Sequence, residues 1–257
     1  MYSLKGKCAL ITGGTSGIGL AVAENFIAAG ASVIISGRRD EGEAIAEKIG
    51  ARFLRCDATD EQAVKQCLAD ASETLGRIDI LVVNAGTAAD EGCIEEFDAG
   101  SMRALMDVNF NSVFYALKHS PAYLSDGASV IATGSAAGSG ITHAGSAVYA
   151  ASKAAVAYLC RASAIELADR SIRVNAVCPA LIADTGMMTA DDGGDEAKFL
   201  ATLTAFGRMG SLDEVVGAYN FLAGDGSTFI TGQELRVDGG MTAGLGNPLM
   251  AAAAASL

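Results

Sequence analysis

The stretch "VYAASKAAVAYL", residues 148–159, sets Tyr149 and Lys153 four residues apart among alanines and other apolar side chains. On a helix such residues are surface neighbours, so the phenol and the ammonium reach one small volume. A free phenol titrates near 10 and is mostly in the wrong form to act as a base at neutral pH. A neighbouring ammonium favours phenolate, and bringing the phenol to about 7 asks for roughly 4 kcal/mol of differential interaction. A partly desolvated site with two positive charges supplies that much. The same spacing also suits a packed tyrosine ring with a lysine running past it to water. Fourteen residues before the tyrosine, "TGSAAGSG" holds Ser135, a candidate hydrogen-bond donor to a substrate oxygen. Ser139 and Ser146 are nearby alternatives, and a serine in a Gly/Ala-rich loop is often only loop.

The elements that must position these groups read from the apolar pattern. "CALIT" (8–12), "SVIIS" (32–36), "ARFLRC" (51–56), "DILVVN" (79–84), "SVIAT" (129–133), "IRVNAV" (172–177) and "ELRVD" (234–238) read as strands. Helical period predicts helices near 17–30, 40–49, 60–76, 99–124, 148–169 and 211–224. Continuous Val/Ile/Leu runs joined by helices imply parallel strands covered on both faces. The fold class is therefore α/β, a doubly wound parallel sheet of about seven strands, which binds ligands beyond the carboxyl ends of its strands. With three prolines and no Ser/Pro-rich linker, residues 1–245 read as a single domain. The Ala-rich tail, 246–257, is either a helix packed on a neighbouring subunit or a frayed end.

The strand ends carry further chemistry. "TGGTSGIG" runs from Thr12 to Gly19 between a strand and a helix; Gly13 allows a tight turn, Gly17 a close backbone approach to a pyrophosphate, and Gly19 close helix-to-sheet packing. After the second strand, "SGRRD" puts Gly37 where an NAD-type site carries an acid, followed by Arg38 and Arg39. A 2′-phosphate needs a cation, so NADP is favoured over NAD, with Arg38 and Ser36 as its readers. The plainer reading is a solvated turn with Asp40 capping the next helix. Asp57 in "CDATD" is placed to accept from an adenine amine, and Asn84 to Gly86, "NAG", lets the chain pass close to a nucleotide; both also suit ordinary turns.

Bulk properties narrow the partners. Eighteen basic against thirty acidic residues give a net charge of −12, which disfavours a phosphate-backbone binder and so nucleic acid. The six cysteines lack C-x-x-C spacing and have only His119 and His143 as possible companions, so they read as reduced core thiols, with no metal site. His119 reads as structural and His143 as a loop residue facing the pocket. No early apolar stretch has signal-peptide length and no run approaches a membrane span, which leads to the expectation of a cytoplasmic protein.

Taken in order, "TGGTSGIG", "CDATD", "NAG", "DVNF", "GSAAG", "YAASK", "IRVNAVCP" and "TGQELRVDGG" resemble the short-chain dehydrogenase/reductase family over nearly the whole chain. The resemblance implies a Rossmann fold and a catalytic tetrad of Asn109, Ser135, Tyr149 and Lys153. It implies NADP or NAD contacts from Gly13, Thr15, Ser16, Gly17, Ile18 and Gly19 in the first turn, and from Ser36, Arg38, Asp57, Ala58, Asn84, Ala85 and Gly86 at the next strand ends. Tyr149, Lys153, Pro179, Ile182 and Thr185 complete that set. It implies reversible hydride transfer between nicotinamide and a carbonyl or secondary alcohol, and a homo-oligomer, dimer or tetramer, built through the helices around 99–124 and 148–169. The chain departs from the family pattern at Ala180, where a glycine usually follows the proline, and at Asp184, where a threonine is common. The serine-to-tyrosine spacing is one residue longer than the commonest form.

Residues 183–206 read as a substrate lid whose acids are Asp184, Asp191, Asp192, Asp195 and Glu196 against Lys198. With the acidic "TAADEGCIEEFD", such walls would repel phosphate-rich acyl carriers and favour a small neutral ketone, alcohol or polyol. The alternatives are a 3-oxoacyl-thioester reductase, a non-catalytic dinucleotide-binding sensor or scaffold, an epimerase or dehydratase relative, and a halohydrin-lyase-like member. The intact tetrad, the short C-terminal region and the intact glycine turn stand against the last three in that order.

Overall fold

The computed structural model describes residues 2–88, 92–186 and 195–255. Seven strands form one sheet: β1 (Cys8–Thr12), β2 (Ser32–Gly37), β3 (Arg52–Arg55), β4 (Ile78–Val83), β5 (Leu124–Thr133), β6 (Arg173–Pro179) and β7 (Glu234–Val237). Every pairing is parallel and the order is β3-β2-β1-β4-β5-β6-β7. The order reverses between β1 and β4, where the chain's two halves wind away from each other and open a crevice at the carboxyl ends.

The helices cover both faces. On one face lie α1 (Gly17–Ala28), α2 (Gly42–Ile49) and α9 (Leu212–Ala223), packed through Val22, Phe26, Ala46, Val215, Tyr219 and Leu222 on the odd-facing residues Ala9, Ile11 and Ile35. On the other lie α3 (Glu61–Leu75), α5 (Ser112–His119) and α7 (Ala147–Glu166), packed on Leu10, Ile34, Leu81 and Val83, with α4 (Ala99–Met106) against α7. Alternate residues of one strand thus serve two cores, which is why these strands are apolar throughout.

All seven expected strands are present, with ends shifted by a residue or two except in β5. The helix expected over 99–124 stops early. Between α4 and α5 the chain passes through a π-helical stretch, Asp107–Asn111, and Pro121 sits in a single 3-10 turn, Ser120–Ala122. Proline cannot extend an α-helix, and β5 starts at Leu124, five residues before the expected Ser129. The remaining helices are short: α6 (Ala136–Ser139), α8 (Asp195–Thr202) and the C-terminal α10 (Asn247–Ala255). The tail is helical and returns to its own chain: the space a side chain at Gly207 would need is 3.2 Å from Pro248 Cγ, and Gly246 lies as close to Ala205. Much of the acidic lid, residues 187–194, lies outside the described residues. Among the described residues no helix is long and apolar enough to cross a membrane.

Candidate active site

A cavity of about 1300 Å³ runs along the carboxyl ends of the strands, from Arg38 and Asp57 at one end to Tyr149, Lys153 and an apolar chamber at the other. The crevice begins at the glycine turn. Gly13 has φ +65°, and a Cβ there would lie 2.8 Å from Ala85 Cα, so only glycine lets the β1 and β4 loops meet. Two hydroxyls tie these loops together. Thr12 Oγ1 accepts from the Asn84 and Ala85 amides at 3.1 and 3.3 Å, and Asn84 Nδ2 donates to the Gly13 carbonyl at 3.1 Å. Thr133 Oγ1 donates to Asn84 Oδ1 at 3.0 Å and therefore accepts from the fully buried Tyr219 hydroxyl at 2.6 Å.

The expected cofactor residues line this crevice or sit just behind it. Ser16 precedes α1 in extended conformation with no side-chain cap bond, so the amides of the first helical turn face the cavity. Gly17 lies against the Thr185 backbone and Gly19 against the Gly13 carbonyl. Thr15 packs beside Gly37, where any side chain would meet it at 3.2 Å. Ser36, at β2's end, is buried and its hydroxyl bonds the Cys67 thiol. Arg38 lies at the rim with Nη1 4.0 Å from Asp57 Oδ2. Asp57 Oδ1 accepts from Thr59 N and Oγ1 at 3.0 and 2.8 Å, and these bonds, with Arg38 behind them, hold its carboxyl below the usual range. Ile182 is buried and bridges Gly210, while Pro179 and Thr185 line the cavity. Ala180 continues the strand, its N–H donating to Val237 O at 3.2 Å. The left-handed residue comes later, at Asp184 with φ +60°.

A dinucleotide fits these residues by the space they leave. A Cβ at Gly86 would lie 3.1 Å from Lys153 Nζ and 3.3 Å from Asn109 Oδ1, so the missing side chain keeps open a gap between an ammonium and an amide oxygen. Cationic Arg38 and Arg39 stand at the far end, where a phosphate-bearing ribose would lie.

The four expected tetrad residues converge. Ser135 precedes α6 and its Oγ accepts from Ala137 N at 3.2 Å, while its hydroxyl acts on the Tyr149 phenol and favours the ionised form. Asn109 sits in the π-helical stretch, fully buried; its Oδ1 accepts from Thr87 N at 2.8 Å, and its Nδ2 donates to Thr87 O at 3.0 Å and to Ser152 Oγ at 3.2 Å. Ser152 Oγ in turn donates to Tyr149 O at 2.7 Å. Lys153 is 3% exposed, its Nζ donating to Thr133 O at 3.1 Å and standing 5.9 Å from the Tyr149 ring centroid. Burial pushes the Tyr149 phenol up, against the pull of the Ser135 hydrogen bond, and burial draws Lys153 down to about 8. The low phenol pKa that a base requires is thus absent from the protein alone, and a further positive charge must supply it.

Sequence reasoning missed Thr12, Thr133, Tyr219, Thr87 and Ser152. Their signal was present in position alone: Thr12 and Thr133 each end a strand facing the crevice. Of the chamber's apolar lining, Leu200 and Leu203 fall in the expected lid, Phe97 in the expected pocket-side segment and Ile141 in the lengthened loop before Tyr149, whereas Met209 and Met241 were not expected. His143 lines the cavity in its loop, Nδ1 3.0 Å from Ala144 O, and His119 bridges α5 to Glu61 at 2.8 Å. Of the acids expected as pocket walls, Glu95, Glu96 and Asp184 are exposed and not part of the cavity lining, Asp191 and Asp192 lie outside the described residues, and among the described residues Asp57 is the cavity's carboxylate, at the Arg38 end.

Residues 13–242 match the family described as enoyl-(acyl carrier protein) reductase. An NADP-dependent (R)-specific alcohol dehydrogenase of Lentilactobacillus kefiri is 36% identical over 250 residues, covering 93% of this chain and 98% of that one. The chain belongs to the short-chain dehydrogenase/reductase family. As a member it is an NAD(P)-dependent oxidoreductase acting on CH–OH or carbonyl groups. The 3-oxoacyl-[acyl-carrier-protein] reductase of Salmonella typhimurium is also 36% identical, over 93% of this chain and 98% of its own. A short-chain dehydrogenase of Burkholderia cenocepacia solved in complex with NADP superposes with TM-score 0.85 at 33% identity, over 93% of this chain and 98% of that one.

The buried ammonium has a measurable signature in stability. Lys153 titrates near 8 in the fold and near 10.4 unfolded. Below 8 both states hold the proton and the full burial penalty stands; between 8 and about 10.4 the unfolded chain binds more protons, so stability rises with pH. Lys153→Met removes the penalty. Its urea-unfolding free energy relative to the parent is therefore expected to be most favourable at pH 7 and to fall by up to about 3 kcal/mol by pH 10.5. A difference that stays flat across that window contradicts the assignment.

Proposed function

We propose that this chain interconverts a small neutral ketone and its secondary alcohol, with NADP preferred to NAD, and that Asn109, Ser135, Tyr149 and Lys153 carry the chemistry. The observation that carries this reading is the meeting of Ser135 and Tyr149, where the serine hydroxyl draws the phenol toward ionisation, beside buried Lys153 and at the mouth of an apolar chamber. The nicotinamide, when bound, carries the hydride. Tyr149 exchanges a proton with the substrate oxygen. Ser135 steadies that oxygen as charge develops, its hydroxyl proton turning from the Tyr149 phenol to the substrate oxygen. Lys153, charged, opposes the burial that raises the phenol, and Asn109 holds the Thr87 loop beside it while orienting a water that relays protons outward.

The chamber supports a neutral substrate with an apolar body over a polyol, because Phe97, Ile141, Leu200, Leu203, Met209 and Met241 outnumber the polar Thr142, His143 and Ser146 in its wall. NADP preference rests on Arg38 and Arg39 beside Gly37, where an NAD-type acid would stand. The NADP dependence of the Lentilactobacillus relative and the NADP complex of the Burkholderia one support it. The Salmonella relative keeps a second reading in view, reduction of a 3-oxoacyl thioester. Exposed Tyr158 and Ile165 on α7 and Phe114 on α5 support assembly into a dimer or tetramer.

Tyr149→Phe is expected to lower turnover by about 10²–10⁴ while NADPH affinity, by fluorescence titration, stays within about threefold; near-normal turnover overturns the role. Arg38→Ala is expected to lower kcat/KM for NADPH by about tenfold or more, the worth of a charge-assisted hydrogen bond, and to leave NADH kinetics unchanged. Across a panel of uncharged ketones, ketoses and 3-oxoacyl thioesters, saturable turnover is expected with the ketones. Saturation with the thioesters alone selects the second reading.

A further inference from the structure

Ser135 and Tyr149 must meet at one oxygen, yet they stand on separate elements, α6 and α7. A helix of four residues has no stability of its own, so something outside α6 must hold it. From below, α6 rests on α7 without a spacer: a Cβ at Gly138 would lie 2.4 Å from Ala154 N and 2.6 Å from Lys153 C. From the side it is gripped by β7. Ser139 Oγ donates to Glu234 Oε2 at 2.6 Å and accepts from Arg236 Nε at 2.9 Å, and Arg236 Nη2 donates to the Ser139 carbonyl. Glu234 Oε1 receives Arg161 Nη2 at 2.9 Å, and Arg161 lies on α7 two turns beyond Lys153. The bonds close a ring, from α7 through Arg161, Glu234 and Ser139 to α6 and back through Gly138. The Arg236 guanidinium also packs beside Gly140 and reaches Thr242, the neighbour of the chamber residue Met241.

We propose that Arg236 and Glu234 are positioning residues: acting through Ser139, they fix α6 against α7 and so set the separation of the Ser135 and Tyr149 hydroxyls. Neither side chain is in the set that lines the cavity, and the strand pattern around them reads simply as an edge strand. Their reach is mechanical. Misplacement of a reacting group by about 1 Å lowers rate by about a hundredfold, and Arg236 supplies two of the bonds that prevent it. Lysine, with a point charge and no planar fork, can replace only part of this bidentate geometry.

The proposal rests on the reading of Ser135 and Tyr149 given above, and the test separates the two. Steady-state kinetics on the NADPH-dependent reduction of an uncharged ketone are compared for the parent, Arg236→Ala, Arg236→Lys, Ser139→Ala and Tyr149→Phe, each with its Tm and NADPH affinity. Arg236→Ala and Ser139→Ala are expected to lose at least tenfold in kcat, with ketone KM and NADPH affinity within about twofold and only a small fall in Tm. Millimolar guanidinium is expected to restore part of the Arg236→Ala loss and none of the Ser139→Ala loss, and Arg236→Lys to fall between parent and Arg236→Ala. Parent-like kcat in both Arg236→Ala and Ser139→Ala, alongside an inactive Tyr149→Phe, overturns the clamp and leaves the active-site reading standing. Losses that follow Tm or NADPH affinity, with no guanidinium rescue, overturn it likewise. An active Tyr149→Phe sinks the underlying reading instead.

Discussion

The structure turns on an ammonium taken out of water. Lys153 is almost wholly buried at the sheet's carboxyl edge, against the Thr133 carbonyl and beside the Tyr149 ring. Burying a charge is unfavourable unless the surroundings answer it, and burial here draws the lysine down to about 8. The fold answers with backbone. β5 ends so that its last carbonyl faces the lysine, and Gly86 leaves the remaining side open toward Asn109 Oδ1. A side chain at position 86 would close that space. The site therefore holds a cation in a setting that gives it leverage on its neighbours, since low local dielectric strengthens every interaction it makes.

Closeness of backbones is the second constraint, and it follows from the first. Tyr149 can feel Lys153 and share an oxygen with Ser135 only if α6, α7 and the β1 and β4 loops converge within a few ångströms. Cβ atoms would prevent that at Gly13 and Gly138, where the spaces are already occupied by the Ala85 and Ala154 backbones. The alanines of α7 serve the same end by keeping the helix thin. Where side chains do intervene they are small hydroxyls: Thr12, Thr133 and Ser152 each join two strand ends or a loop to a helix. The polar groups of the crevice floor are thereby satisfied without water.

How much of this was legible in the sequence depends on the range of the interaction. The strands declared themselves through unbroken Val/Ile/Leu runs, because burial on both faces writes the same residues at every position. Tyr149 with Lys153 was legible because helical spacing brings i and i+4 together whatever the fold. Ser135 could be singled out only by its place at a strand end, and Asn109 only by resemblance. The clamp on Ser139 was invisible: Glu234 and Arg236 are separated from it by about a hundred residues and meet it through the pairing of β6 with β7. The end of the helix expected near 124 came early for a local reason, since Pro121 sits in the 3-10 turn that follows α5.

The acidic character of the chain also reads differently once residues have places. A net charge of −12 and two acidic segments beside the expected pocket pointed to repulsion of phosphate-bearing substrates by its walls. In the fold, Glu95, Glu96 and Asp184 face outward while the described chamber is lined by Phe97, Ile141, Leu200, Leu203, Met209 and Met241. Charge at the surface acts through screened water over roughly a Debye length of about 8 Å, so it influences which molecules approach and not which ones bind. Selection along the apolar wall falls to desolvation: a polar group set against Phe97, Leu200 or Met241 loses water without a partner there, whereas an alkyl or aryl group loses nothing. The same cavity at its other end holds Arg38 and Arg39. One crevice thus presents two surfaces of opposite physics, cationic at the Arg38 end and apolar around Phe97, Leu200 and Met241 at the Tyr149 end.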